Sequence, residues 1–252
     1  MNKPPVAVIG AGPCGLATCK SLADYGLDYE CLEAGDSIGG LWNVERIHSG
    51  GYRSLHTNTS GPGMSFTDFP FDDGAPTYAS ARQLQDYFNR YIERYQLKDS
   101  IRLNSPVADA HPLADGGWQL EFAGGVSKQY SALVVASGQY TKPRLPHAGI
   151  AGSFAGEHLH VIDYLDAATP VDMRGKRVLV VGLGNSASEL AAELADPSAP
   201  TGCASQVILS ARSGRWVLPR MVDGKPLDSR APHPANRPPA ILRALPDELG
   251  QW

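Results

Sequence analysis

The chain has 252 residues, 42% of them hydrophobic and 19% charged, with a formal net charge of −4. That length buries a sizeable core in one large or two small domains. The slightly acidic balance gives no basis for nucleic acid or an anionic membrane surface as partner. The N-terminus runs from MNKPP almost at once into an apolar strand and a glycine turn, with no apolar stretch of signal-peptide length. No apolar run approaches the roughly 18 residues of a spanning helix, so the sequence predicts a cytoplasmic protein. The cysteines Cys14, Cys19, Cys31 and Cys203 form no CxxC pair and no zinc-type cluster with histidine. No metal is therefore expected, and a disulfide reductase with a redox-active cysteine pair is excluded.

Val6 to Ile9 reads as a buried strand that ends in the turn GAGPCG, Gly10 to Gly15. Leu16 to Tyr25 has helical period and stops at Gly26. A strand, a glycine turn and a helix start in that order let backbone N–H groups approach a pyrophosphate, which points to Gly10, Gly12, Pro13, Cys14 and Gly15 as cofactor contacts. Asp28 to Leu32 is the second strand. Glu33 follows it about 18 positions after Gly15, near the spacing at which a ribose 2′-hydroxyl is accepted. A carboxylate there would repel a 2′-phosphate; the alternative is a surface Glu at a strand end. Gly39-Gly40-Leu41-Trp42 then offers a close backbone approach and an apolar wall, or a plain turn before a core Trp. The run Ser54-Leu-His-Thr57-Asn58-Thr59-Ser60 is dense in short polar side chains, suited to a polar ring edge or to a solvated loop.

Ala79 to Leu97 reads as an amphipathic core helix capped by Ser80. Strands are expected at Ile101 to Ala108, Trp118 to Phe122 and Tyr130 to Ala136, and the last delivers Ser137 and Gly138 to a ligand. A second unit begins with the strand Arg177 to Val181, the turn Gly182-Leu-Gly184-Asn185-Ser186-Ala187, a helix to Leu194 and a strand from Gln206 to Leu209. Its second strand ends in Ser210-Ala-Arg212 instead of an acid. With Arg215 nearby, Arg212 is placed to accept a 2′-phosphate; the alternative is a solvated Arg. Beyond Trp216, Pro219, Pro226 and five later prolines break the pattern, and only Ala240 to Leu245 hints at a helical turn. A dinucleotide half has three parallel strands, and this one shows two.

Between the two turns lies Phe154-Ala-Gly156-Glu-His-Leu-His160-Val-Ile-Asp-Tyr164, which matches the pattern FxGxxxHxxx(Y/F). With EAGDSIGGLW, SLHTNTS and MSFTDFPF, it makes the chain resemble the class B flavin-dependent monooxygenases, most closely the flavin-containing monooxygenases. The resemblance runs from Val6 to about Arg220. It implies an α/β fold: an FAD-binding Rossmann-like domain with a β-layer insertion over 1–170, and a partial NADP-binding Rossmann-like unit over 171–252. It also implies FAD and NADPH as cofactors, O2 and a small molecule as substrates, and oxygenation of a soft N or S nucleophile by a flavin C4a-hydroperoxide.

Tyr164 stands where the Baeyer–Villiger branch usually has Trp. Asn58 matches the family asparagine that meets both cofactors and is the candidate catalytic residue, flanked by Thr57 and Thr59. Val107 and Trp42 join the implied flavin side. Ser186, Ala187, Ser188 and Glu189 align with the NADP-binding run, and His160 with a residue that couples the two halves. Gly61 replaces a Lys common in the family, and the family's late Gly-Asp is absent. The rival readings are a truncated or partner-dependent dinucleotide-binding protein, completed by a second copy or another subunit, and a Baeyer–Villiger-type enzyme.

Overall fold

The computed structural model describes residues 3–46, 49–114, 116–140, 142–145 and 152–230. In chain order the elements are β1 (Val6–Ile9), α1 (Pro13–Asp24), β2 (Tyr29–Leu32), α2 (Gly61–Met64), α3 (Ala81–Arg94), β3 (Ile101–Arg102), β4 (Val107–Pro112) and β5 (Trp118–Phe122). They continue with β6 (Ser127–Tyr130), β7 (Ala132–Val135), β8 (Arg177–Val181), α4 (Asn185–Ala195), β9 (Gln206–Ser210), β10 (Met221–Val222) and β11 (Lys225–Pro226). The helical turn expected at Ala240 to Leu245 lies outside the described residues. Among the described residues no helix is long and apolar enough to cross a membrane.

These elements fall into two compact units, one drawn from 3–55 and 80–214, the other from 56–79 and 215–230. In the first, a parallel sheet runs β3-β2-β1-β7, with β1 flanked on both sides. The β-branched run Val-Ala-Val-Ile suits that central place, and Ala7 and Val8 are fully buried. α1 starts on Pro13, whose missing N–H costs nothing at a helix start. It ends where Gly26, at φ +63°, lets its own N–H and that of Leu27 reach the carbonyls of Ala23 and Leu22.

An antiparallel meander, β4-β5-β6, is inserted between β3 and β7. Here the observed elements differ from the sequence expectation. Ile101 to Ala108 is two strands, with Asn104 at φ +53° between them, because β3 pairs with β2 while β4 pairs with β5. Tyr130 to Ala136 divides in the same way: β6 belongs to the meander and β7 to the parallel sheet. Continuous apolar character does not show that a strand changes sheet. The two sheets share one core, in which Ala7, Leu32, Leu120 and Tyr130 are buried with Ile9, Val107 and Leu133 against them.

α3 carries the expected N-cap. Ser80 and Gln83 form a reciprocal capping box, and Leu84, Tyr87, Phe88, Tyr91 and Ile92 line its buried face. β8 and β9 form a separate parallel pair in register, covered on one side by α4. Val178 and Val180 pack with Leu194 and Ala167 there. In the second unit β10 and β11 make a short hairpin through Asp223 and Gly224, both at positive φ. Of the prolines that break the expected pattern, Pro219 precedes this hairpin and Pro226 lies in β11; the five later ones lie outside the described residues.

Candidate functional site

The first turn gathers three strand ends. The Gly10 N–H donates to the Leu32 carbonyl at 2.8 Å, and the Ala136 N–H donates to the Ile9 carbonyl at 2.8 Å. Gly10 sits at φ +101°, and a Cβ on it would come within 2.5 Å of the Ala136 carbonyl oxygen. At Gly15 a Cβ would lie 1.8 Å from the Gly10 carbonyl oxygen, so only glycine fits this turn-to-helix packing. Ser137 and Gly138 follow β7 in exposed positions, with the Ser137 Cα beside Gly10. Gly40 crosses over Gly12, where a Cβ on Gly40 would be 3.3 Å from the Gly12 Cα; the Gly39 N–H donates to the Ala11 carbonyl at 3.0 Å. Leu41 and Trp42 complete the short helical turn there and are half-buried. Gly12 caps α1 without a side-chain hydrogen bond. This leaves a helix N-terminus shaped to receive an anion from backbone N–H groups.

Glu33 is 4% exposed and does more than the sequence predicted. One carboxylate oxygen accepts from the Ala11 N–H at 2.8 Å; the other accepts from the Gly35 N–H and pairs with Arg46, each at 2.8 Å. The carboxylate thus ties the phosphate turn to the loop after β2. Val107, by contrast, is packed into the shared core at a bulged start of β4.

The second turn is looser. The Gly182 N–H donates to Ser210 at 2.8 Å, closing β8 against β9. A Cβ on Gly182 would meet only the Ala187 Cβ, at 3.8 Å, and one on Gly184 would meet nothing within 4 Å. Here the third glycine can be Ala187, since no carbonyl crowds it. Gly184 caps α4 without a side-chain bond, Asn185 is exposed, and Ser186 and Ser188 are half-buried on the first turns of the helix. Arg212 is exposed just past the end of β9.

Glu189, expected among the ligand contacts, accepts a short hydrogen bond from the Tyr52 hydroxyl. One turn on, Glu193 accepts from Ser54 at 2.6 Å. Burial and the Glu189 charge push the Tyr52 phenol up, so it stays a donor. Tyr52 also meets Tyr164 edge-on at 6.1 Å between ring centres. The segment 52–54 thereby docks α4 onto the end of the linker motif.

That motif owes its spacing to packing. The Phe154 ring lies over Gly156, where a Cβ would be 2.4 Å from a ring atom. His160 caps the turn Val161–Asp163 through Nδ1, which accepts from the Ile162 N–H at 3.2 Å. The imidazole of His160 thus serves to hold backbone.

In the second unit the Thr57 N–H donates to Ala79 at 2.9 Å, while the buried Thr57 hydroxyl has no hydrogen-bond partner among the described residues. An orphaned buried hydroxyl costs roughly 1–3 kcal/mol, so a polar ligand edge fits there. The Asn58 Oδ1 accepts from Arg220 at 2.7 Å, and the Asp228 carboxylate accepts from the Ser60 N–H and hydroxyl at 2.8 and 2.7 Å. Thr59 lies between these two contacts, its methyl close against Gly63. The sequence reading missed Arg220 and Asp228. The Asp-Gly dipeptide at 223–224 was the available signal, since it favours the tight hairpin that puts them at one end.

A family model described as "FMO-like: Flavin-binding monooxygenase-like" matches residues 3–242. Flavin-containing monooxygenase 3 of Rattus norvegicus is 36% identical over 240 residues, covering 90% of this chain and 44% of the relative. A solved flavin-containing monooxygenase from Stenotrophomonas maltophilia superposes with a TM-score of 0.70 at 25% identity, covering 89% of this chain and 62% of that one. The fold also resembles a structure of OTEMO in complex with FAD and NADP, at a TM-score of 0.68, 23% identity, and coverage of 85% and 40%. The chain belongs to the flavin-binding monooxygenase-like family. It spans under half the length of the curated relative.

Proposed function

We propose that the chain carries the dinucleotide-binding machinery of an FAD- and NADPH-dependent monooxygenase that puts one atom of O2 into a soft nitrogen or sulfur nucleophile. The observation that carries this is the pair of strand–turn–helix units with unlike second-strand ends: Glu33 after β2, Ser210-Ala211-Arg212 after β9. The buried Glu33 excludes a 2′-phosphate from the first unit, and the guanidinium of Arg212 attracts one to the second. FAD is assigned to 1–170 and NADPH to 171–252.

When bound, the two cofactors supply hydride transfer and oxygen activation, with NADPH, a proton and O2 giving oxygenated product, NADP+ and water. The chain's own groups bind and orient. The N-terminus of α1 would hold the diphosphate of FAD, and the N-terminus of α4, with Asn185 and Ser186, would hold that of NADPH. The Thr57 hydroxyl and Asn58 amide would offer hydrogen bonds to a polar ring edge, and His160 holds the linker turn.

The test is to add FAD to the purified protein and follow NADPH consumption against sulfoxide or N-oxide formation from a thioether and a tertiary amine. Stoichiometric product is expected, with NADPH preferred over NADH and the preference lost in Arg212→Ala. Lactone from a cyclic ketone in place of S- or N-oxide would move the reading to Baeyer–Villiger chemistry. A second reading, a dinucleotide-binding protein active only once completed by a second copy or another subunit, is favoured by one observation. Leu179 and Val181, on the face of β8 away from Val178 and Val180, are 59% and 61% exposed. Flavin binding without turnover would support it.

A further inference from the structure

Glu33 holds a flat cationic group beside itself. Arg46 pairs with its carboxylate through Nη1 at 2.8 Å, and the Arg46 side chain is 26% exposed. That side chain lies across Gly35: a Cβ there would be 2.5 Å from Nε, 2.6 Å from Cζ and 3.1 Å from Cδ. Nε and Cζ are nearly equidistant and closer than either terminal nitrogen, so the guanidinium meets Gly35 with a face and not an edge. Gly35 is not among the glycines at positive φ. The turn therefore does not call for glycine there; the missing side chain makes room for Arg46.

Backbone bonds hold this arrangement from below. The Gly35 N–H donates to the same Glu33 oxygen at 2.8 Å, and the Gly35 carbonyl accepts from the Asn104 N–H at 2.7 Å. The Arg46 N–H donates to the Asn43 carbonyl at 3.1 Å. A carboxylate offers about four lone-pair sites. Ala11, Gly35 and Arg46 take three of them, which leaves room for one ribose hydroxyl. A base hangs from the sugar carbon next to the one that bears the 2′-hydroxyl, so a ribose bound at Glu33 carries its base alongside Arg46. A guanidinium held at its edge by an anion keeps its outer face for a flat partner, and bases stack on such planes.

We propose that Arg46 is a binding residue for the adenine ring of the first dinucleotide, its guanidinium layered between Gly35 and the base and held in plane by Glu33. The inference rests on the reading that the first unit takes FAD, and it deepens that reading by naming what recognises the purine. Glu33 then serves the ligand twice, directly at the ribose and through Arg46 at the base.

The experiment follows FAD binding to the full chain by flavin fluorescence, with ADP and UDP as competitors, so that every reading refers to the flavin site. NADP+ is present throughout to fill the second unit. In the wild type ADP competes better than UDP, whose smaller base covers less of the guanidinium. Arg46→Lys keeps a cation for Glu33 but not the plane. Its unfolding midpoint without flavin stays that of the wild type, while FAD affinity falls roughly fivefold to thirtyfold and the advantage of ADP over UDP shrinks by a similar factor. Gly35→Ala reaches the same end from beneath, because the added methyl displaces the flexible Arg46 side chain. The double variant binds FAD no more weakly than the worse of the two, since both remove one contact.

Equal competition by ADP and UDP in the wild type would overturn the proposal, as would an equal loss of both in Arg46→Lys, the mark of a contact to the diphosphate. FAD affinity untouched in both single variants would overturn it too. A wild-type chain that binds no flavin would instead count against the monooxygenase reading, with direct titration of ADP and UDP on the same variants still deciding the role of Arg46.

Discussion

The two phosphate turns share a motif and differ in how tightly they are built. Around Gly10 to Gly15, three strand ends and the Gly40 crossover close on one another, so that a single added carbon at Gly15 would sit 1.8 Å from a backbone oxygen. Around Gly182 to Ala187 two strands converge among the described residues, and a methyl group is already present at the equivalent position. The number of flanking strands, more than the motif, sets how many of the glycines are obligatory. A turn at the centre of a four-stranded sheet has neighbours on both sides; a turn at the end of a two-stranded pair has one.

The sharpest way to break this comparison is to exchange the third residue of each turn. Gly15→Ala drives a methyl into the Gly10 carbonyl and is expected to cost about 3 kcal/mol, the upper end of ordinary overpacking, with loss of bound flavin. Ala187→Gly gives up helix propensity only, about 1 kcal/mol, and leaves NADPH binding intact. Thermal unfolding and cofactor titration of the pair measure both. Equal losses at the two sites would remove the contrast.

Next in size is Glu33→Gln. One end of the new amide points an N–H at a backbone N–H and leaves Arg46 without its charge partner, for about 2 kcal/mol. Denaturant unfolding should show this even with no flavin present, since all three partners are protein groups. An effect seen only with flavin bound would return Glu33 to the simpler role read from spacing.

Tyr52→Phe probes the second turn from outside. It removes the hydroxyl bond to Glu189 but keeps the ring against Tyr164, for about 1 kcal/mol. The expected kinetic signature is a raised KM for NADPH with unaltered flavin affinity, because α4 loses a restraint and α1 does not.

The smallest effect concerns acid. Burial pushes the Asp166 carboxyl up, but the Ala168 N–H and Arg53 outweigh it and hold the group below the usual carboxylate range. A lowered folded value means stability that is present above the ordinary aspartate range and drains away as pH falls through it. Asp166→Asn should therefore lower stability at neutral pH by under about 1 kcal/mol and flatten the acid limb of the profile by that same amount, the partly solvated Arg53 keeping the effect small.

Much of the first unit was legible in the sequence, because its local and tertiary demands agree. Val6 to Ile9, the helix from Pro13 and the capped helix from Ala81 each carry their own start or stop residues. The expected strands Ile101 to Ala108 and Tyr130 to Ala136 each span parts of two strands in different sheets, since apolar character does not say which sheet a residue joins. The Asn104 left-handed bend is set by where β2 and β5 lie, and the Ser131 break by where β5 and β1 lie. Among the site residues, the glycines were readable because their constraint is steric and local, whereas Arg46, Tyr52 and Arg220, which meet Glu33, Glu189 and Asn58, lie 13 to more than 100 positions from them along the chain.

By itself, then, the sequence determined that two strand–turn–helix units exist, that their second strands end in opposite charge, and that a Phe-Gly-His-Tyr linker joins them. Those facts follow from residue identity at short spacing, where chain geometry leaves few alternatives. Only the tertiary structure decided that Glu33 is a buried latch, that Glu189 is taken by Tyr52, and that Arg220 and Asp228 grip the Asn58 loop. Hydrogen-bond partnerships across such distances depend on which surfaces folding brings together, and no local preference of the chain encodes them.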